Sequence, residues 1–160
     1  MIVVSDTSPL LYLFLIDSTE LLPQLYDQVI VPEAVKAEMV APGAPTAFQT
    51  WAVKPPDWLL VESVNREIST ELQNLHAGEQ AAICLAKSLD ADFLLIDERM
   101  GRQAATSKGL NVIGTLGILD EAAERNMVDI RLVVSRLRQT NFRISSKLIQ
   151  MILNRHDLRL

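Results

Sequence analysis

Two short apolar segments that lead to aspartates constrain the fold of this chain more than any other feature. Residues 2–4 lie just before Asp6, and residues 93–96 end directly at Asp97. Continuous apolar runs of this length are typical of parallel strands that are buried on both faces. In an open α/β sheet, the carboxyl ends of such strands form the edge at which ligands bind. The sequence therefore predicts a parallel sheet with two aspartates at one edge.

Two glutamates lie on segments with the apolar spacing of helices. Glu38 follows Val35 by three residues, and Glu79 precedes Ile83 by four, so each glutamate shares a helical face with core residues. A carboxylate is rarely buried unless it has a partner or binds a metal ion. No nearby Lys or Arg is an obvious partner for all of these acids. We therefore predict one divalent-metal site, and its candidate ligands and catalytic residues are Asp6, Glu38, Glu79 and Asp97.

The chemistry of a cluster of carboxylates favours phosphodiester hydrolysis. Two unit charges 4 Å apart repel by about 4 kcal/mol at an effective dielectric constant of 20, so converging acids need a counter-charge. Mg²⁺ and Mn²⁺ prefer oxygen ligands and often bind substrate phosphate oxygens as well. Such an ion makes water more acidic and stabilises the charge that develops on the phosphate. Each acid taken singly has an ordinary role as a helix cap or dipole partner, but the four together favour a metal site.

Six further polar residues are candidates for the same site: five lie close to Asp6 or Asp97 in the sequence, and one follows the last strand. They are Thr7, Ser8, Glu98, Arg99, Arg102 and Thr115. Their hydroxyl and guanidinium groups could orient water or hold phosphate. Structural roles compete with these functions, because Ser8 and Thr115 are good helix caps and the arginines can pair with surface acids. We treat all six as supporting candidates.

The spacing of apolar and turn residues predicts alternating strands and helices. Besides the two apolar runs, strands are expected over 29–31, 59–61 at an edge, and 112–113, and the second run extends over 93–97. A helix opened by Pro32 should hold Glu38, and the other helices are expected over about 9–16, 18–26, 46–53, 66–75, 77–89, 100–108, 115–125, 129–140 and 145–154. This order predicts one doubly wound α/β domain over 1–160, with a core to about 125 and a helical extension over about 126–160.

Composition excludes several classes of protein. The longest apolar run, 9–16, is far shorter than the roughly 20 residues of a membrane span, and no pattern of a secretory signal precedes the first strand. We expect a cytoplasmic protein without a membrane segment. The single cysteine, Cys84, lies in an apolar helix and indicates neither a disulfide nor a thiolate metal site. His76 and His156 are expected at the surface, and no glycine-rich loop typical of nucleotide cofactors is present.

Charge is distributed unevenly along the chain. The net charge is −5, but residues 125–160 contain eight Arg or Lys against two Asp, which gives this part +6 and the remainder −11. A basic region beside an acidic body could guide a phosphate backbone toward a metal site. The alternative is a pair of solvated helices whose arginine stems cover apolar surface.

Four short motifs together resemble those of the PIN domain family, and they are VVSDTSPL at 3–10, VPEAV at 31–35 leading to Glu38, GEQAAI at 78–83 and LIDE at 95–98. The similarity continues to about residue 119, and it is greatest to the prokaryotic branch related to VapC toxins. It implies a PIN-like three-layer α/β/α sandwich with extra C-terminal helices. Two positions depart from the family pattern: Ile96 replaces a common Thr or Ser, and Glu98 replaces a second Asp.

The resemblance also implies a function. Such proteins are Mg²⁺- or Mn²⁺-dependent ribonucleases, often dimeric toxins that a small antitoxin protein inhibits, and the acidic site of the family maps onto Asp6, Glu38, Glu79 and Asp97. One alternative is an inactive PIN-like module that binds RNA or a protein through its basic C-terminal helices. Another is a receiver-like phosphoacceptor domain, which would leave the two helical glutamates unexplained.

Overall fold

A parallel sheet forms the centre of the fold in a computed structural model, which describes residues 1–64 and 72–157. Within these residues the sheet has five strands in the order β3-β2-β1-β4-β5. The strands are β1 (Val3–Ser5), β2 (Val29–Pro32), β3 (Leu59–Glu62), β4 (Phe93–Leu95) and β5 (Val112–Ile113). The predicted edge position of the third strand is confirmed.

Helices follow the strands in the α/β alternation that the sequence predicts. The described residues form α1 (Thr7–Leu15), α2 (Leu21–Tyr26), α3 (Glu33–Met39), α4 (Thr46–Val53), α5 (Ala77–Ser88), α6 (Arg99–Ser107), α7 (Thr115–Glu124), α8 (Ile130–Arg138) and α9 (Ser146–Asp157). Together with the sheet they build a three-layer α/β/α sandwich, which confirms the predicted fold class.

The neighbouring strands β1 and β4 bring the two aspartate-bearing segments side by side. Val3 pairs with Phe93 and Val4 with Leu94 in parallel register. The backbone N–H of Asp6 donates to the carbonyl oxygen of Leu95 at 2.9 Å, which extends the pairing to the end of β1. Val3 and Val4 are fully buried, as expected for central strands covered on both faces.

Several helix boundaries differ from the sequence predictions. Helix α1 begins at Thr7 rather than at residue 9, and Asp6 instead of Ser8 occupies the N-cap position, so the predicted capping role of Ser8 is wrong. Asp17 adopts a positive φ of 57°, and the chain turns before α2 begins at Leu21. Because the chain is still turning after Asp17, α2 is shorter than the helix predicted over 18–26.

The predicted helix over 66–75 falls mostly on residues 65–71, which lie outside the described part of the chain. Its last residues do not continue an α-helix, because the N–H of Leu75 donates to the carbonyl oxygen of Leu72 in a tight turn at 3.0 Å. Helix α5 then begins at Ala77.

The two C-terminal helices pack on α7 and on each other. Asp129 caps α8, since its carboxylate accepts from the backbone N–H of Arg131 at 3.0 Å. Val133, Leu137 and Ile149 are buried in the core. None of the helices in the described residues is long and apolar enough to cross a membrane.

Candidate active site

Asp6 is a buried carboxylate at the carboxyl end of β1. Asp6 is only 4% exposed. Its Oδ1 atom has no hydrogen-bond partner among the described residues. Burial, with a smaller contribution from the charges of Glu79, Glu38 and Asp97, raises the pKa of Asp6 to about 7 despite the lowering effect of the Thr7 amide. The fold therefore brings the other three predicted acids within electrostatic reach of Asp6.

Glu38 is held in place from two sides. The hydroxyl of Thr7 donates to its Oε2 at 2.5 Å, and the backbone N–H of Gly78 donates to its Oε1 at 3.0 Å. A Cβ atom at position 78 would lie only 2.5 Å from the Glu38 carboxylate oxygens. Only glycine therefore allows the start of α5 to approach this acid, and Glu38 links α3 to both α1 and α5.

Glu79 follows in the first turn of α5 and is 5% exposed. Its Oε1 accepts from the backbone N–H of His76 at 3.1 Å, whereas its buried Oε2 has no partner among the described residues. Burial raises the pKa of Glu79, and the charges of Glu98 and Glu38 contribute in the same direction. A Cβ at Gly101 would lie 2.8 Å from Oε2, so the backbone of α6 passes close to this free oxygen.

Asp97 is fixed between β4 and α7 by a single residue. Thr115 donates its backbone N–H to Oδ1 at 2.7 Å and its hydroxyl to Oδ2 at 2.8 Å. Burial raises the pKa of Asp97 despite these hydrogen bonds and the nearby positive charge of Arg102. Thr115 thus supplies a hydroxyl next to an acid that is preceded by the apolar residue Ile96.

The remaining supporting candidates occupy different positions around these acids. Arg102 donates from Nη1 to the carbonyl oxygen of Ile96 at 3.0 Å. Glu98 is exposed at the N-cap of α6, and its charge raises the pKa of both Asp97 and Glu79. Arg99 is exposed in the first turn of α6, and Ser8 is half-buried in the first turn of α1.

The donor set of the site fits a hard divalent cation. No group of three or more His, Cys, Asp or Glu side chains in 1–64 and 72–157 is arranged so that it could hold a metal ion as it stands. However, the free oxygens of Asp6 and Glu79 are buried, and unsatisfied buried acceptors on mutually repelling carboxylates are unfavourable. A cation would offset both the missing hydrogen bonds and the repulsion, and carboxylate oxygens suit Mg²⁺ or Mn²⁺.

The sequence analysis did not identify the glycines that allow the helix backbone to lie close to the acids. Gly78 and Gly101 lie against Glu38 and Glu79, and the only available signal was a glycine in the first turn of a predicted helix, directly before Glu79.

The expected surface position of His156 is also wrong. Its side chain is 11% exposed, and its Nε2 lies 2.7 Å from Oδ1 of Asp120.

The parallel sheet with carboxylates at its carboxyl edge defines an α/β protein with an acidic site. The sequence model of one family, DUF3368, described as a PIN domain, matches residues 2–157. The chain therefore belongs to the PIN domain family. PIN domains are generally nucleases and typically use divalent metal ions. No curated protein and no solved structure matches the chain.

Proposed function

We propose that this PIN domain is a divalent-metal-dependent endoribonuclease that hydrolyses RNA phosphodiester bonds. The observation that carries the proposal is the acidic site around Asp6, whose buried oxygen has no partner in the described part of the chain and lies within the field of three other carboxylates. Membership of a family of nucleases supports this function. The same donor set supports Mg²⁺ or Mn²⁺ as the cofactor.

The four acids have different roles in the proposed site. Asp6 and Glu79 offer free carboxylate oxygens to the ion. Glu38 and Asp97 are already oriented by hydrogen bonds, from Thr7 and Gly78 to the first and from Thr115 to the second. When bound, the ion would supply acidified water and neutralise charge on the scissile phosphate.

Arg102 is the cation best placed to receive a substrate phosphate. Its guanidinium lies close to Asp97, whose pKa its charge lowers, and one of its nitrogens is anchored to the Ile96 carbonyl oxygen. The other N–H groups of a guanidinium anchored in this way remain suited to bidentate contact with phosphate oxygens. We therefore assign Arg102 a substrate-binding role.

The direct test is RNA cleavage by the purified protein with Mg²⁺ or Mn²⁺ and with chelator. We expect cleavage only with the ion, and we expect Asp6→Asn and Glu79→Gln to lower kcat/KM by about 100-fold or more, because both remove ligands of the ion. Asp57→Asn is the matched control, since Asp57 is an exposed aspartate outside the site. Cleavage that persists in chelator, or an Asp6→Asn variant as active as the parent, would refute the proposal.

We further propose that the enzyme is the cytoplasmic toxin of a VapC-like toxin-antitoxin pair, with a small antitoxin protein as partner and a homodimer as its assembly. The sequence motifs shared with the VapC-related branch support this finer assignment. The test is coexpression of the protein with the product of an adjoining small reading frame. We expect this product to copurify with the protein and to inhibit its cleavage of RNA. Light scattering on the purified toxin would measure the number of subunits.

A further inference from the structure

A cleft of about 750 Å³ opens next to Asp97, beside the edge strand β5. Its walls include strand β5, helix α7 and the extended segment 142–145. Three aromatic side chains line it: Tyr26, Phe93 and Phe142. The rings of Tyr26 and Phe93 lie 6.3 Å apart between centroids. The cleft therefore adjoins the acidic site and has the aromatic surface that planar ligands prefer.

The hydroxyl of Tyr26 is an unexplained donor in the wall of this cleft. Tyr26 is 5% exposed, and its hydroxyl has no hydrogen-bond partner among the described residues. Burial raises the pKa of Tyr26 to about 12, with the charge of Glu121 adding to the shift and that of Arg125 opposing it. The group thus keeps its proton at neutral pH. Leaving such a hydroxyl unpaired is unfavourable, and a bound ligand would supply the missing acceptor.

A second, more open groove also has Asp97 in its wall. Arg99, Gln103 and Thr106 from α6 line this groove, and Asp97 and Arg102 line both it and the aromatic cleft. Polar and cationic side chains along one helix suit the sugar-phosphate backbone of a nucleic acid. Asp97 and Arg102 therefore mark the boundary between an aromatic cavity and a polar track.

We propose that the aromatic cleft binds one unstacked base of the RNA strand, next to a phosphate bound by Arg102 beside Asp97, while the groove along α6 follows the adjoining backbone. This inference rests on the proposed ribonuclease function. Single-stranded RNA is recognised by stacking of its bases on aromatic rings and by hydrogen bonds to their edges. Phe142 and Phe93 offer the rings, and the Tyr26 hydroxyl offers the donor. The base site would give the enzyme a sequence preference beside the cleaved bond.

Binding of four 2′-O-methyl homotetranucleotides in chelator tests the proposal without requiring cleavage. We expect Phe142→Leu, which keeps apolar volume but removes the ring, to weaken binding of the preferred tetranucleotide about fivefold or more. Tyr26→Phe should reduce the difference in affinity among the four bases by about three- to tenfold. Tyr12→Phe is the matched control, because its hydroxyl already bonds Asn141 at 3.0 Å and does not line the cleft.

Thermal unfolding separates a binding role from a structural one. Tyr26→Phe should raise the melting temperature while it weakens base discrimination, because it removes an unsatisfied buried hydroxyl. A Tyr26→Phe variant with unchanged base preference, together with an unaffected Phe142→Leu variant, would overturn the base site. A cleft that receives a protein segment instead of RNA would give that same result. If the parent protein cleaves no RNA with Mg²⁺ or Mn²⁺, the proposed function itself fails, which the cleavage assay detects independently.

Discussion

At the scale of single residues, Asp6 opposes folding when it is ionised. Its pKa rises from 3.8 to about 7 in the folded protein, so the folded state binds this proton more tightly than the unfolded state does. Stability is therefore lost as the pH rises from about 4 to about 7, by about 4 kcal/mol at most. A buried carboxylate of the candidate site thus lowers stability when it is ionised.

Asp6→Asn should accordingly be more stable than the parent at pH 8 in chelator, and this advantage should shrink at pH 4. The reason is that the amide carries no charge to desolvate, whereas the parent carboxyl is already protonated at the lower pH. Thermal unfolding at both pH values measures the difference, with Asp57→Asn as the control. An equal effect at both pH values would show that ionisation of Asp6 is not its cause.

Divalent ions should reverse this cost in the parent protein. A ligand that binds only the folded state adds about 2.7 kcal/mol of stability at a hundredfold excess over its Kd. We expect Mn²⁺ or Mg²⁺ to raise the melting temperature of the parent, and to do so much less in Asp6→Asn and Glu79→Gln. The melting temperature in Ca²⁺-free buffer with chelator is the reference value for each protein. Equal stabilisation of all three proteins would place the ion elsewhere.

At Gly78, helix propensity favours a change to alanine, whereas the geometry of the site opposes it. Alanine inside a helix is normally favoured over glycine by about 0.5–1 kcal/mol. At position 78, however, a Cβ would lie 2.5 Å from the Glu38 carboxylate oxygens, so Gly78→Ala must displace Glu38. We expect a loss of RNA cleavage of about tenfold or more. Gly43→Ala is the control, because no atom lies within 4 Å of its added Cβ.

At the scale of elements, α9 is attached to α7 by charged groups as well as by apolar packing. Asp120 of α7 accepts from Arg155 and pairs with His156. Although burial, the largest single influence, raises the pKa of Asp120, the hydrogen bonds from these two side chains together lower it. The stabilising contribution is therefore present above pH 3.8 and is lost as the pH falls through the lowered pKa.

Asp120→Asn should destabilise the protein at pH 7 by about 1 kcal/mol. The loss should be smaller at an acidic pH below the lowered pKa of Asp120, where the parent carboxyl has taken up a proton and the contact is already weakened. Urea unfolding at the two pH values provides the measurement, and Asp57→Asn again serves as the control. A pH-independent loss would assign the effect to packing rather than to charge.

The same helices explain part of the uneven charge of the sequence. Arg125 pairs with Glu121 at 2.9 Å, Arg131 pairs with Asp157, and Arg155 pairs with Asp120. These arginines join helices or successive helical turns to each other. Part of the basic excess is therefore paired with acidic side chains of α7 and α9.

At the scale of the whole molecule, the sheet order decides which acids meet. Asp6 and Asp97 are far apart in the chain, but β1 and β4 are neighbours in the sheet. The sequence predicted this meeting, because both acids follow buried parallel strands and such strands share one ligand-binding edge. It could not predict the glycines at 78 and 101 as parts of the site, since close backbone approach depends on how α5 and α6 pack.

The sequence by itself determined the sandwich fold and singled out four candidate acids, because apolar periodicity and strand ends are local properties of the chain. Only the tertiary structure decided which carboxylate oxygens stay unpaired and where an aromatic cleft forms. Tyr26, Phe93 and Phe142 come from three distant segments, and no local pattern relates them. Their proximity results from packing of α2, β4 and the segment before α9, which depends on the summed contacts of the whole core.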